Sequence, residues 1–322
     1  MKRFIILFFS VLYCISLFSS EENLVLHTPT GDIYGTLLLP DSAGNVPVAI
    51  LIAGSGPTDR NGNQPITQNN SLKYLAEGLA QHQIASLRFD KRAIGESKAA
   101  ATKEDDLRFE TYVEDVKAWI DLLSSGKRFS SLTVIGHSEG SLIGMIASEN
   151  NDKVDAYISI AGVAVAADEI LREQLASQPQ QVKDMIFPLL EQLKQGQTIA
   201  DVSPVLYSLF RPSVQPYMIS WMKYNPQAEI KKLDIPVLII QGTSDIQVAV
   251  YHADSLAAAN PKSEKIIIES MNHVLKKCES MEQAAQTPTY TNPELPLAEE
   301  LAPAIAKFIS TAAKSCKPLS LR

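Results

Sequence analysis

The stretch SLTVIGHSEGSLIGMIAS, residues 131–148, decides how this chain is read. Its first part, SLTVIGHS (131–138), is a short apolar, β-branched run of the kind that forms a buried strand, and residues 139–149 continue with a helical pattern. The junction is a G-x-S-x-G run, Gly136-His137-Ser138-Glu139-Gly140. A sharp strand-to-helix turn needs glycine on both sides of a strained serine; it pushes the hydroxyl outward and presents the next backbone N–H beside it. The position marks Ser138 as a candidate nucleophile. The same glycines would also suit a turn without chemistry, so the rest of the chain has to decide.

Working outward, strand-like runs alternate with helical patterns: 46–54 (VPVAILIAG), 84–90 (IASLRFD), 131–138, 155–162 (DAYISIAG), 236–242 (PVLIIQG) and 265–269 (KIIIE), with helices near 71–81, 108–124, 139–149, 250–259 and 297–314. This repetition predicts an α/β fold with a mostly parallel central sheet and helices on both faces. Ahead of it, NLVLHTPTGDIYGTLLLP reads as an antiparallel hairpin turning near Thr30-Gly31-Asp32. Residues 164–234 interrupt the alternation and hold no clear strand. A structureless loop of that length is out of place in a compact domain, so the segment is expected to be a helical cap. The core is then 21–163 and 235–322. Within the cap, Tyr207, Phe210, Tyr217, Met218, Trp221, Met222 and Tyr224 either line an apolar pocket or form the cap's own small core.

A serine hydroxyl needs a general base, and the base needs a group that orients it. Of five histidines, His27 lies in the hairpin, His82 ends a helix, His137 is directed by the turn, and His252 lies inside a helix. His273, in Ser270-Met271-Asn272-His273, follows the last strand, and loops at the carboxyl ends of parallel strands share one edge with the serine turn. The same argument selects Asp245, in Gly242-Thr243-Ser244-Asp245, over Asp168 and Glu269. The order Ser138, Asp245, His273 is that of one fold in particular. Oxyanion donors are expected from the Glu139 N–H and from the loop Gly54-Ser55-Gly56-Pro57-Thr58-Asp59-Arg60-Asn61-Gly62, with the Ser55 N–H the candidate and Gly54 or Gly56 its neighbours in register. Asp59 stands where a dinucleotide-binding G-x-G-x-x-G needs its third glycine, and Pro57 breaks the helix start, which argues against a nucleotide site.

The order hairpin, AGSGPTDRNG (53–62), RFDKRAIGES (88–97), GHSEG, helical insertion, QGTSD and MNH resembles the α/β-hydrolase superfamily, in particular bacterial serine esterases with a G-S-G-P-x-D-R loop, related to the serine aminopeptidase and monoacylglycerol lipase-like group. The resemblance covers almost the whole chain after residue 20. It implies an eight-stranded sheet with a helical cap inserted after the sixth core strand, and hydrolysis of small or medium acyl esters through an acyl-enzyme. Two positions depart from it: Ala53 stands where many relatives have histidine, and Ala93 where a glycine is usual. Within the same fold the alternatives are a thioesterase, lipase or lactonase, or an aminopeptidase using Asp168, Glu169 or Glu173 to hold a free amine. A non-catalytic binding protein of the same fold is disfavoured because all three triad positions are present.

With 29 Lys+Arg against 36 Asp+Glu, the net charge of −7 argues against a broad nucleic-acid-binding face. A small-molecule ester is the expected partner, and the oligomeric state is left open. No Cys/His set has metal-site spacing, so no metal and no cofactor is expected. Residues 1–20 open with Lys2 and Arg3 and continue in an apolar run from Phe4 to Phe18, the grammar of a signal peptide and too short to span a bilayer. Cleavage within about 16–21 would export the protein to the periplasm or the medium, the alternative being a retained membrane anchor, and no other apolar stretch is long enough to span a membrane. Cys14 invites a lipoprotein reading, but bulky Tyr13 precedes it. Whether Cys278 and Cys316 pair is left open.

Overall fold

The computed structural model describes residues 19–41, 44–101 and 103–315. Most of the expected leader and Cys316 lie outside them. An eight-stranded sheet runs through the molecule in the order β1-β2-β4-β3-β5-β6-β7-β8. Strands β1 (Ser20–Thr28) and β2 (Gly31–Leu39) form the antiparallel hairpin, and β2 pairs antiparallel with β4 (Ala85–Phe89). From β4 onward, β3 (Val48–Ile52), β5 (Leu132–His137), β6 (Ala156–Ile160), β7 (Val237–Gly242) and β8 (Glu264–Ile268) are parallel.

The apolar runs explain the layering. Val48, Ile50 and Ile52 point to one face of β3 while Ala49 and Leu51 point to the other, and all five are buried. The first face is covered by α2 (Phe109–Ser124), α3 (Glu139–Ser148) and α9 (Val250–Ala259), through residues such as Trp119, Ile143 and Leu256. The second is covered by α1 (Ser71–Gln81) and α11 (Leu301–Ser315), through Leu75, Leu79, Ile305 and Phe308. Each such side chain contributes about 1.5–3 kcal/mol of transfer free energy, which holds both helical layers to the sheet.

Between β6 and β7 the chain forms α4 (Ala167–Gln174), α5 (Gln180–Lys194), α6 (Tyr207–Phe210), α7 (Gln215–Trp221) and α8 (Pro226–Ile230). Ile186, Leu190, Leu193, Phe210 and Met222 make a separate apolar cluster there. The segment is pinned to the start of α2 and the turn before it by Ser220 Oγ, which accepts from Phe109 N (2.8 Å), by Trp221 stacked parallel on Phe109, and by the Arg211–Glu104 ion pair.

Helix α10 (Gln283–Thr291) has no counterpart among the helices expected from periodicity. The last helix begins at Leu301 rather than near 297, because Leu297 is taken up in a β-bridge with Lys276. Among the described residues no helix is long and apolar enough to cross a membrane.

Candidate active site

The strand order reverses around β3: the chain passes from β3 to β4 on one side and then to β5 on the other. Loops leaving β3 and β5 therefore diverge and leave a crevice at the carboxyl edge of the sheet, the place where open α/β sheets bind ligands. Ser138 and the loop from Gly54 border that crevice.

Ser138 has φ 55° and ψ −122°, a backbone conformation L residues rarely adopt, held by its N–H on the Ile160 carbonyl (2.9 Å). The flanking glycines are required by contact. A Cβ on Gly136 would lie 2.2 Å from the Gly140 carbonyl oxygen, and one on Gly140 would lie 2.5 Å from the Ile52 carbonyl oxygen on β3. The turn closes only without them.

His273 follows β8 and Asp245 follows β7. His273 Nδ1 donates to Asp245 Oδ2 at 2.8 Å, with both side chains buried. Asp245 also accepts from Gln241 Nε2 (3.0 Å), Gln247 N (2.8 Å) and Val248 N (2.9 Å). Burial alone would raise its pKa, but the His273 charge, its hydrogen bond and the two backbone N–H groups outweigh burial and hold the carboxyl below the ordinary 3.8. With Nδ1 committed, Nε2 is the free ring nitrogen, and His273 shares a pocket wall with Ser138. The Ser138 hydroxyl has no hydrogen-bond partner among the described residues; such a bond often closes only around substrate.

Several supporting groups are not legible in the motifs. Gln286 of α10 donates to the Ser244 carbonyl (2.9 Å) and accepts from Asn272 Nδ2 (3.0 Å), tying the loop of Asp245 to the loop of His273. His137 donates Nε2–H to the His273 carbonyl (2.8 Å), and the two rings lie 4.9 Å apart. Burial, and then the neighbouring His273, push the His137 ring down to about 3. Its folded-state pKa is thus depressed below the ordinary 6.5, so between those values the unfolded chain binds a proton the folded one does not. Stability should fall on acidification across this window, by about 1.4 kcal/mol per pH unit from this residue. His137→Gln should lower the slope of unfolding free energy against pH between pH 4 and 5.5 by about one proton; an unchanged slope would contradict a neutral His137.

The loop after β3 is braced from β4. Lys91 Nζ, buried, donates to the Gly54 carbonyl at 2.6 Å and lies 3.6 Å from Glu139 Oε2. Burial draws the Lys91 pKa down, while the Glu139 carboxylate opposes it. Thr58 Oγ1 and Gln64 Nε2 both donate to the Ser55 carbonyl (2.9 and 3.1 Å). These bonds fix the loop without the histidine that Ala53 replaces. The N–H groups of Ser55 and of Glu139, the first residue of α3, donate to no acceptor among the described residues. Ala93, the other departure, adopts φ 67°, so the turn keeps a glycine-like backbone despite its Cβ. Lys91→Met would leave the Gly54 carbonyl unpaired and the buried Glu139 without its cation. A stability loss of about 3–5 kcal/mol is expected in urea unfolding, and a loss under 1 kcal/mol would contradict this role.

The remaining candidates lie away from Ser138 or are bonded to other groups. Asp168 pairs with Lys194 (2.7 Å) within the cap segment, Glu269 is exposed, and His27 bonds Asp32. His252 accepts from Ala164 N and bonds Glu173. Of the aromatic and Met side chains from α6 to α8, Phe210, Met218 and Met222 are in the cap cluster. Tyr217, Met218 and Trp221 line a pocket beside Ser138, and Tyr207 is exposed. Tyr217 donates to Glu139 Oε1 at 2.6 Å, joining the cap to the residue after Ser138. Cys278 Sγ faces the carbonyls of Ser280 and Ala285.

A strained serine turn at the switch point of a mostly parallel sheet, with a His–Asp pair on the same edge, is the architecture of an α/β hydrolase. The chain belongs to that family: residues 48–210 match the model of the alpha/beta hydrolase fold. It is 26% identical over 256 residues to esterase EstD of Thermotoga maritima, covering 75% of this chain and 57% of that one. The chain thus spans little more than half the length of this curated relative. Among solved structures it is similar to Est1E from Butyrivibrio proteoclasticus, at 15% identity and a TM-score of 0.60 over 91% of this chain and 99% of that one. It is also similar to the Pyrococcus furiosus esterase Pf2001, at 15% identity and a TM-score of 0.57 over 91% of each chain.

Proposed function

We propose that the protein is a serine carboxylic-ester hydrolase acting on small or medium acyl esters. The observation that carries this reading is Ser138, held in its strained turn where it lines two pockets, one of which it shares with the Asp245-bonded His273. Ser138 Oγ attacks the ester carbonyl as His273 Nε2 takes its proton. The Ser55 and Glu139 N–H groups stabilise the oxyanion, each contributing about 3–4 kcal/mol. His273 returns the proton to the leaving alcohol as the C–O bond breaks, and water repeats the cycle on the acyl-enzyme.

The similarity to EstD supports an ester as substrate. An amine-binding site is not favoured, since Asp168, Glu169 and Glu173 line neither pocket beside Ser138. Labelling by a fluorophosphonate probe, blocked by heating, together with turnover of p-nitrophenyl butyrate above that of aminoacyl nitroanilides, is the expected result. Absence of labelling would overturn the reading. The same reading takes residues 1–20 as an export leader, and the amino terminus of protein recovered outside the cytoplasm should then fall within about 16–21.

A further inference from the structure

Ser138 stands between two pockets, one with a mainly apolar wall and one in which polar groups share the wall with Leu72 and Val274. One, about 290 Å³, lies under the cap segment and is walled by apolar side chains including Ile170, Leu171, Leu209, Met218 and Trp221. Its two charged side chains are already engaged, Glu139 by Tyr217 and Arg211 by Glu104. The other, about 380 Å³, has room for about a dozen waters. No Asp, Glu, Lys or Arg lines it. Instead Thr67, Ser71 and Tyr290 bring hydroxyls to its wall. The Thr67 and Ser71 hydroxyls have no partner among the described residues, and Tyr290, whose oxygen accepts from Gln247 Nε2, keeps its proton free to donate. Gln64 and Gln247 add amide oxygens that no described group uses.

The chemistry assigns the two halves of a substrate. The leaving oxygen must come within hydrogen-bond reach of His273 Nε2, and His273 lines only the polar pocket. The alcohol therefore occupies that pocket, and the acyl chain, attached to the carbon that Ser138 attacks, enters the apolar one. An anionic alcohol would need a cation in the wall and a cationic one a carboxylate, and neither is present. Uncommitted hydroxyls and amide oxygens match neutral hydroxyls, which can both donate to and accept from them. We propose that the polar pocket is a leaving-group site for an uncharged, hydroxyl-rich alcohol, a sugar or glycerol unit, so that the substrates are apolar acyl esters of neutral polyols.

This rests on the esterase reading, and its test separates the two. Butyrate esters of ethanol, glycerol, glucose and choline are compared with the purified protein. The expected kcat/KM is at least about tenfold higher for the glycerol or glucose ester than for ethyl butyrate, with the choline ester below it; whichever polyol ester is faster identifies the polyol. In Thr67→Val/Tyr290→Phe the ratio of polyol to ethyl ester should fall towards one, mainly through KM. Hydrolysis of ethyl butyrate with no polyol preference, a choline ester turned over fastest, or a ratio unmoved in the double variant would overturn the polyol site while leaving an esterase. No hydrolysis of any of the four esters would overturn both.

Discussion

Replacing Ser138 by alanine should lower kcat for p-nitrophenyl butyrate by about 10⁴- to 10⁶-fold, as loss of a nucleophile does in serine hydrolases. Because the hydroxyl has no hydrogen-bond partner among the described residues, its removal should move the urea midpoint little. Glycine at the same position separates chemistry from backbone. The φ of 55° and ψ of −122° cost a serine about 1–3 kcal/mol, and glycine relieves that while losing about 0.5–1 kcal/mol of chain entropy. Ser138→Gly should therefore be as inactive as the alanine variant and more stable than the parent by about 1 kcal/mol. Retention of more than a few per cent of activity in Ser138→Ala would move the nucleophile elsewhere, and a destabilised glycine variant would contradict the strain.

That pair of outcomes also explains why the serine turn was legible in the sequence. Its constraints are local and steric: Gly136 must approach the carbonyl of Gly140, and Gly140 that of Ile52, so the glycines advertise the turn. Asp245 and His273 were legible for a topological reason, since parallel strands deliver their following loops to one edge. Lys91 was not. Its bond to Gly54 depends on β4 lying beside β3, and nothing in RFDKRAIGES distinguishes it from Arg88 or Arg92, which face Glu21 and Asp115 instead. Helix α10 was equally hidden. QAAQTPTYT has no apolar stripe and carries Pro288; the segment is fixed by Gln286 and Thr289, both bonded to Asn272 beside the histidine. In the cap, the sequence pattern could not separate Phe210, which fills the cap core, from Tyr217 and Trp221, which line the pocket beside Ser138, or show that Met218 does both.

Asp245→Asn should lower kcat by about 10⁴-fold with KM nearly unchanged, because Asp245 lines neither pocket and in the proposed mechanism would act on substrate only through His273. The carboxylate accepts from His273 Nδ1, Gln241 Nε2 and two backbone N–H groups. An asparagine that keeps its oxygen on the backbone N–H groups turns its NH2 toward His273 and Gln241. It then donates to Nδ1, fixes the wrong tautomer, and sets two donors against each other at Gln241, at a cost of about 1–3 kcal/mol in stability. The pH dependence carries the same sign. Asp245 titrates lower in the folded protein than in the unfolded chain, so its contribution is fully present above the unfolded carboxyl pKa and is lost as pH falls through the folded one. Asp245→Asn should remove that part of the acid-induced loss below about pH 4 while leaving the His137 contribution at higher pH intact. A fall in kcat of less than tenfold would remove Asp245 from the orienting role. Asp168 could not then inherit it without giving up Lys194, since that ion pair holds its carboxylate within the cap.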